Sequence, residues 1–86
     1  MAAAIIASPT FYEATQLFGT KFVHCVGTST ENDDWIAVTP LTLVRGVVSN
    51  YATDGTAGTH TIAGTDNLVV LSNGGTKTWH LLVYGD

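Results

Sequence analysis

Leu68-Val69-Val70-Leu71-Ser72-Asn73-Gly74-Gly75-Thr76-Lys77-Thr78-Trp79-His80-Leu81-Leu82-Val83-Tyr84 is the segment from which the rest of the chain can be read. Two runs rich in β-branched and aromatic residues flank a short Asn-Gly-Gly loop, the pattern of a β-hairpin. In the second run Trp79, Leu81 and Val83 alternate with His80, Leu82 and Tyr84, so the two sets project from opposite faces of a strand. Neither set is polar enough to lie bare in water, and the strand is expected to be covered on both sides.

Upstream, the same chemistry repeats. Phe22–Val26 reads as a strand, followed by a polar loop from Gly27 to Asp34. Trp35–Val38 is a short strand stopped near Pro40, because proline removes a ladder donor. Leu41–Asn50 is a longer strand whose internal Gly46, beside Arg45, predicts a bulge or a sharp bend. His60–Ala63 is another short strand, set between Gly-rich turns. The segment Ser8–Gly19 carries helix punctuation: Ser8 suits a cap, Pro9 the first turn and Gly19 the C-terminal cap. Phe11, Ala14 and Phe18 share one helical face, so a short helix is expected there. Thr10, Tyr12 and Thr15 lower the helix propensity and keep a strand open as the alternative. The chain is therefore all-β, a small single-domain sandwich or barrel of six to seven short, mainly antiparallel strands, with a possible short N-terminal helix. Residues 1–7 form an N-terminal arm and 8–86 the β-domain.

The chain has 86 residues, one domain near the lower size limit for independent folding. Its only cysteine, Cys25, permits no internal disulfide. Charged residues are 12% of the chain against 45% hydrophobic, about half the ordinary charged share. Thr, Ser, Gly and Asn take the place of the missing charges. A chain that stays single in water normally carries more ionic surface, so much of this surface is expected to be buried in an assembly. Net charge is −4, with cations only at Lys21, Arg45 and Lys77. Three scattered cations cannot form the cluster that nucleic acid or an anionic membrane surface requires. The start Met1–Ala7 is too short to span a bilayer and lacks the basic residues that open a signal peptide, so synthesis in a reducing cytoplasm is expected.

No motif points to an enzyme. The Glu31-Asn32-Asp33-Asp34 loop has oxygen ligands suited to Ca²⁺ but lacks the alternating spacing of a calcium loop, and a solvated turn is the expectation. His24, His60 and His80 have no zinc spacing. Cys25 beside His24 invites a thiol–imidazole pair, yet neighbours on a strand point apart, and Cys25 is expected in the core. No catalytic residue, metal or cofactor is predicted. Trp35, Trp79, Tyr12, Tyr51 and Tyr84 are the rings that a sugar-stacking platform would use; in a domain this small they are expected mainly as core, Trp79 above all.

A charge-poor, Thr/Gly/Ala-rich β-chain with an apolar arm resembles the small decoration (cement) proteins of tailed-phage capsids. Met1–Ala7 corresponds to the arm. Trp35–Val38, Leu43–Val48 and Leu81–Gly85 are the strands that carry the likeness. The resemblance implies a structural virion protein, made in the host cytoplasm and seated on the capsid exterior. There it would bind the major capsid protein or another virion protein and bridge neighbouring shell subunits. It also implies a homo-oligomer, with trimers favoured. The expected contact residues are Ala2, Ala3, Ala4, Ile5, Ile6 and Ala7 with Phe11 and Tyr12. A small carbohydrate-binding module, and a tail or fibre accessory subunit, are the alternatives.

Overall fold

The computed structural model describes residues 4–72 and 75–86. Among these, seven strands form two antiparallel sheets and no α-helix occurs. The strands are β1 (Thr10–Leu17), β2 (Thr20–Ser29), β3 (Trp35–Ala37), β4 (Val44–Ala52), β5 (His60–Ile62), β6 (Leu68–Leu71) and β7 (Lys77–Gly85). One sheet has the order β1-β2-β7-β4 and the other β3-β6-β5. Between them lies a core built on Val23 and Cys25 of β2, Trp79, Leu81 and Val83 of β7, Ile36 of β3, and Val69 and Leu71 of β6. Val44 and Ala52 of β4, Val38 and Leu41 from the loop after β3, and Ile6 from the N-terminal arm also belong to it. The fold is all-β, as expected.

The N-terminal helix is not there. Residues Thr10–Leu17 pair with β2 as an antiparallel strand, and Leu17 stands opposite Thr20. The residues between, Phe18 and Gly19, both have positive φ (53° and 78°), the backbone of a tight two-residue hairpin turn. Gly19 thus serves a hairpin rather than a helix cap. Thr10, Tyr12 and Thr15 suit a strand, and an open edge of β2 was available to bond them.

The hairpin expected at the C-terminal end is also absent, although both of its strands exist. β6 is bonded on one side to β3 and on the other to β5; β7 is bonded to β2 and β4. Each strand has two edges, so β6 and β7 cannot also pair with each other. They lie in different sheets, and the chain between them crosses the sandwich. Within the predicted loop, Asn73 and Gly74 lie outside the described residues.

The remaining differences are shifts of boundary. Strand β2 continues through Gly27 to Ser29, where a loop was expected. β4 begins at Val44 and runs on to Ala52. The bulge predicted around Gly46 is present, as a register shift between Val44 and Gly46 against β7. Glycine is needed at this position because of close approach: a Cβ on Gly46 would lie 2.5 Å from Cζ of Tyr84.

The arm docks on its own domain. Ile6 N–H donates to the Trp35 carbonyl at 2.8 Å, and Trp35 N–H to the Ala4 carbonyl at 3.2 Å, giving a short parallel bridge on the free edge of β3. Ile6 enters the core, over Gly27, where a Cβ would sit 3.1 Å from Ile6 Cγ2. The other side of the sandwich is closed in a similar way. The segment after β4 turns back to bond Asn50 and Ala52 before continuing into β5.

Candidate functional site

Strand alternation fixes what the outer face of the β1-β2-β7-β4 sheet carries. On β7, Trp79, Leu81 and Val83 point inward and are fully buried, which leaves His80, Leu82 and Tyr84 outward and half-buried. On β2 the outward set is Phe22, His24, Val26 and Thr28. The edge strands add Tyr12 from β1 and Tyr51 from β4, which are 53% and 47% exposed.

These rings form a row across all four strands. The Tyr12 and His24 rings are 5.3 Å apart, His24 and His80 5.9 Å, and His80 and Tyr51 5.3 Å. A second pair, Phe22 and Tyr84, lies 5.7 Å apart nearer the bulge. Thr28 and Thr78 share a hydroxyl hydrogen bond at 3.0 Å, and His80 Nε2 pairs with the Thr53 hydroxyl at 2.8 Å. Every carboxylate is elsewhere: Glu13 at the β1 bulge, the others in loops, in turns or at the C-terminal residue. Lys21 and Lys77 occupy inward-phase positions at strand ends. The register-paired outward positions of the four strands therefore hold aromatic, aliphatic and hydroxyl groups, and the charged residues on the edge strands, Glu13 and the Arg45 bonded to Asp86, stand at register shifts. Such a surface can pack on other protein or stack on a planar ring.

Chemistry elsewhere on the molecule is tied up. The Asp34 carboxylate is turned inward and accepts hydrogen bonds from the N–H groups of Thr30 (2.9 Å), Ala4 (2.9 Å) and Glu31 (3.1 Å) and from the Thr30 hydroxyl. These bonds, led by those from Thr30 and Ala4, hold its pKa below the usual carboxylate range. Asp34 thus ties the arm to its loop. Burial pushes the Cys25 thiol up to about 12, so it stays protonated at neutral pH, while His24 faces the opposite side of the sheet. A shallow cleft of about 350 Å³ is lined by Ala52, Thr53, Asp54, Thr76, Lys77 and Thr78. Its charged groups bond each other, Lys77 Nζ to Asp54 Oδ2 at 2.7 Å, and this with the Thr56 N–H drives the Asp54 pKa well below its ordinary value.

The residues expected from sequence to form one contact surface are separated. Ala2 and Ala3 lie outside the described residues. Ala4 and Ala7 are exposed, Ile5 is 55% exposed, and Ile6 belongs to the core. Phe11 turns inward against the core, and Tyr12 alone joins the outer face. His24, His80, Tyr51, Phe22 and Leu82 were not singled out in this role. The sequence held one trace of them, the apolar character of the His80, Leu82, Tyr84 set. No family model, characterised protein or solved structure matches this chain.

Proposed function

We propose that this chain is a structural assembly protein of the capsid-decoration kind that its sequence resembles, carried on the exterior of a virion shell against the major capsid protein or another virion protein. One observation supports the reading above the others: a row of aromatic rings crosses the outer face of the four-stranded sheet, in a chain that is poor in charge throughout. Apolar faces rimmed by polar loops are where proteins meet proteins. Immunogold electron microscopy of intact particles, with antibody to this chain, tests the assignment. Label over the shell is the expected result. Label confined to the tail would instead make the chain a tail or fibre subunit, and particles without label overturn a virion role.

Exposure of Tyr51 and Tyr12 favours a second reading, a carbohydrate-binding module that stacks sugar rings on this row. A glycan array compared between the parent chain and Tyr51→Ala decides it. Binding lost in the variant would carry that reading, and an array blank for both removes it.

A further inference from the structure

We propose that the outer face of the β1-β2-β7-β4 sheet packs against the same face of a second copy, giving a two-fold dimer. The inference rests on the reading of this chain as an assembly protein and assigns this face to a second copy, so that contacts with a shell would fall on the dimer's remaining surface.

Size comes first. Four strands at about 4.8 Å spacing and about 3.4 Å per residue along the ten residues of β2 make a face of roughly 19 by 34 Å. Two such faces cover on the order of 1,200 Å² even when drawn flat, which clears the roughly 1,000 Å² that a specific interface needs. The geometry is ordinary for proteins, since sheets stack about 10 Å apart with their strands nearly aligned.

Charge selects the occupant. A partner chosen by ionic complementarity would need charges to read, and the register-paired outward positions of β2, β7 and β4 offer none. A second copy of an acidic chain is normally disfavoured, but here the seven carboxylates stand in loops, at a bulge or at the C-terminal residue, clear of the centre. The charged groups on the edge strands are Glu13 on one and Arg45 on the other, both beside register shifts. Arg45 is paired with Asp86 at 2.7 Å. A two-fold axis parallel to the strands lays β1 of one copy over β4 of the other. Glu13 then comes over the Arg45–Asp86 pair and never over another Glu13. The same operation sets the ring row of each copy across that of its partner, where edge and stacked contacts between aromatic rings are favourable. A face packed on itself closes at two copies, so this contact yields a dimer and not the trimer expected of decoration proteins.

Light scattering on the full-length chain during size-exclusion chromatography tests the inference, with Leu82→Lys and Tyr51→Glu as variants. Leu82 is central and half-buried, while Tyr51 is exposed and tolerates a charge without disturbing the core. The parent is expected to run at twice the chain mass. Each variant places two like charges in the interface and is expected to raise the dimer dissociation constant at least ~100-fold, with the parental far-ultraviolet circular dichroism retained. A parent that is monomeric at several hundred micromolar overturns the proposal, as does a trimer. So does a dimer that both folded variants leave intact. Dimers that never label virions would sink the proposed function and leave this inference standing; monomers that label shells would do the reverse.

Discussion

Ser29→Ala probes a buried polar contact in the core. Ser29 is fully buried at the end of β2, and its hydroxyl oxygen accepts the Trp79 indole N–H at 2.9 Å while donating to the Gly75 carbonyl. Alanine leaves the indole N–H in the same fully buried place without an acceptor. An orphaned buried donor costs about 1–3 kcal/mol, the loss of its partner included. A domain of this length has roughly 4–13 kcal/mol in total, so the change removes a sizeable share of it. At roughly 4–8 °C per kcal/mol, a loss of about 2 kcal/mol lowers the melting temperature by roughly 8–16 °C. Thermal unfolding followed by near-ultraviolet circular dichroism reads both the shift and the packing of Trp79. Trp79→Phe is the control: with the donor gone, adding Ser29→Ala should cost clearly less than it does alone. A Ser29→Ala chain that melts within about 2 °C of the parent refutes the reasoning.

Three further outcomes follow from named contacts. Ile6→Ala empties a core position and is expected to cost about 2–5 kcal/mol in urea unfolding, whereas Ile5→Ala, at a position 55% exposed, leaves the midpoint nearly unchanged; equal effects would mean that the arm does not pack as described. Asp34, Asp54 and Asp86 all have lowered folded pKa values, so their contribution to stability is present above the ordinary carboxylate pKa of about 4 and is lost as pH falls through the folded values. The melting temperature should accordingly fall between about pH 5 and pH 2. Asp34→Asn should flatten that fall and expose the Ala4 region to protease, and a parallel pH curve would count against the carboxylate's role. The side-chain amide atoms of Asn50 are buried with no hydrogen-bond partner, packed over Gly58, so Asn50→Leu should raise the melting temperature by several degrees. A lower melting temperature would show that the amide is satisfied in solution.

The outer-face row shows how much of the site the sequence contained. The composition of β7 already said that His80, Leu82 and Tyr84 would not lie bare. Nothing local brings His24 beside His80, because they are 56 positions apart and meet only through the β2–β7 register. Tyr12 joined the row once Thr10–Leu17 became a strand. On a helix its ring would not stand opposite His24, as the β1–β2 register places it. The arm was recognised as apolar, but the partner of Ile6 is the gap over Gly27, and a missing side chain attracts no notice in a sequence.

Residue chemistry alone settled that this chain is a small all-β domain, because alternation, β-branched runs and glycine-rich turns act over a few neighbouring residues. It also placed Trp79, Leu81 and Val83 on one face and predicted a bulge or a sharp bend at Gly46, of which the bulge is present. Which strand bonds to which was decided by the tertiary structure. The two C-terminal strands match a hairpin in every local respect, yet both edges of each are taken by other strands, β3 and β5 for β6, and β2 and β4 for β7. Pairing is a competition among all available edges, and local sequence describes only one competitor at a time.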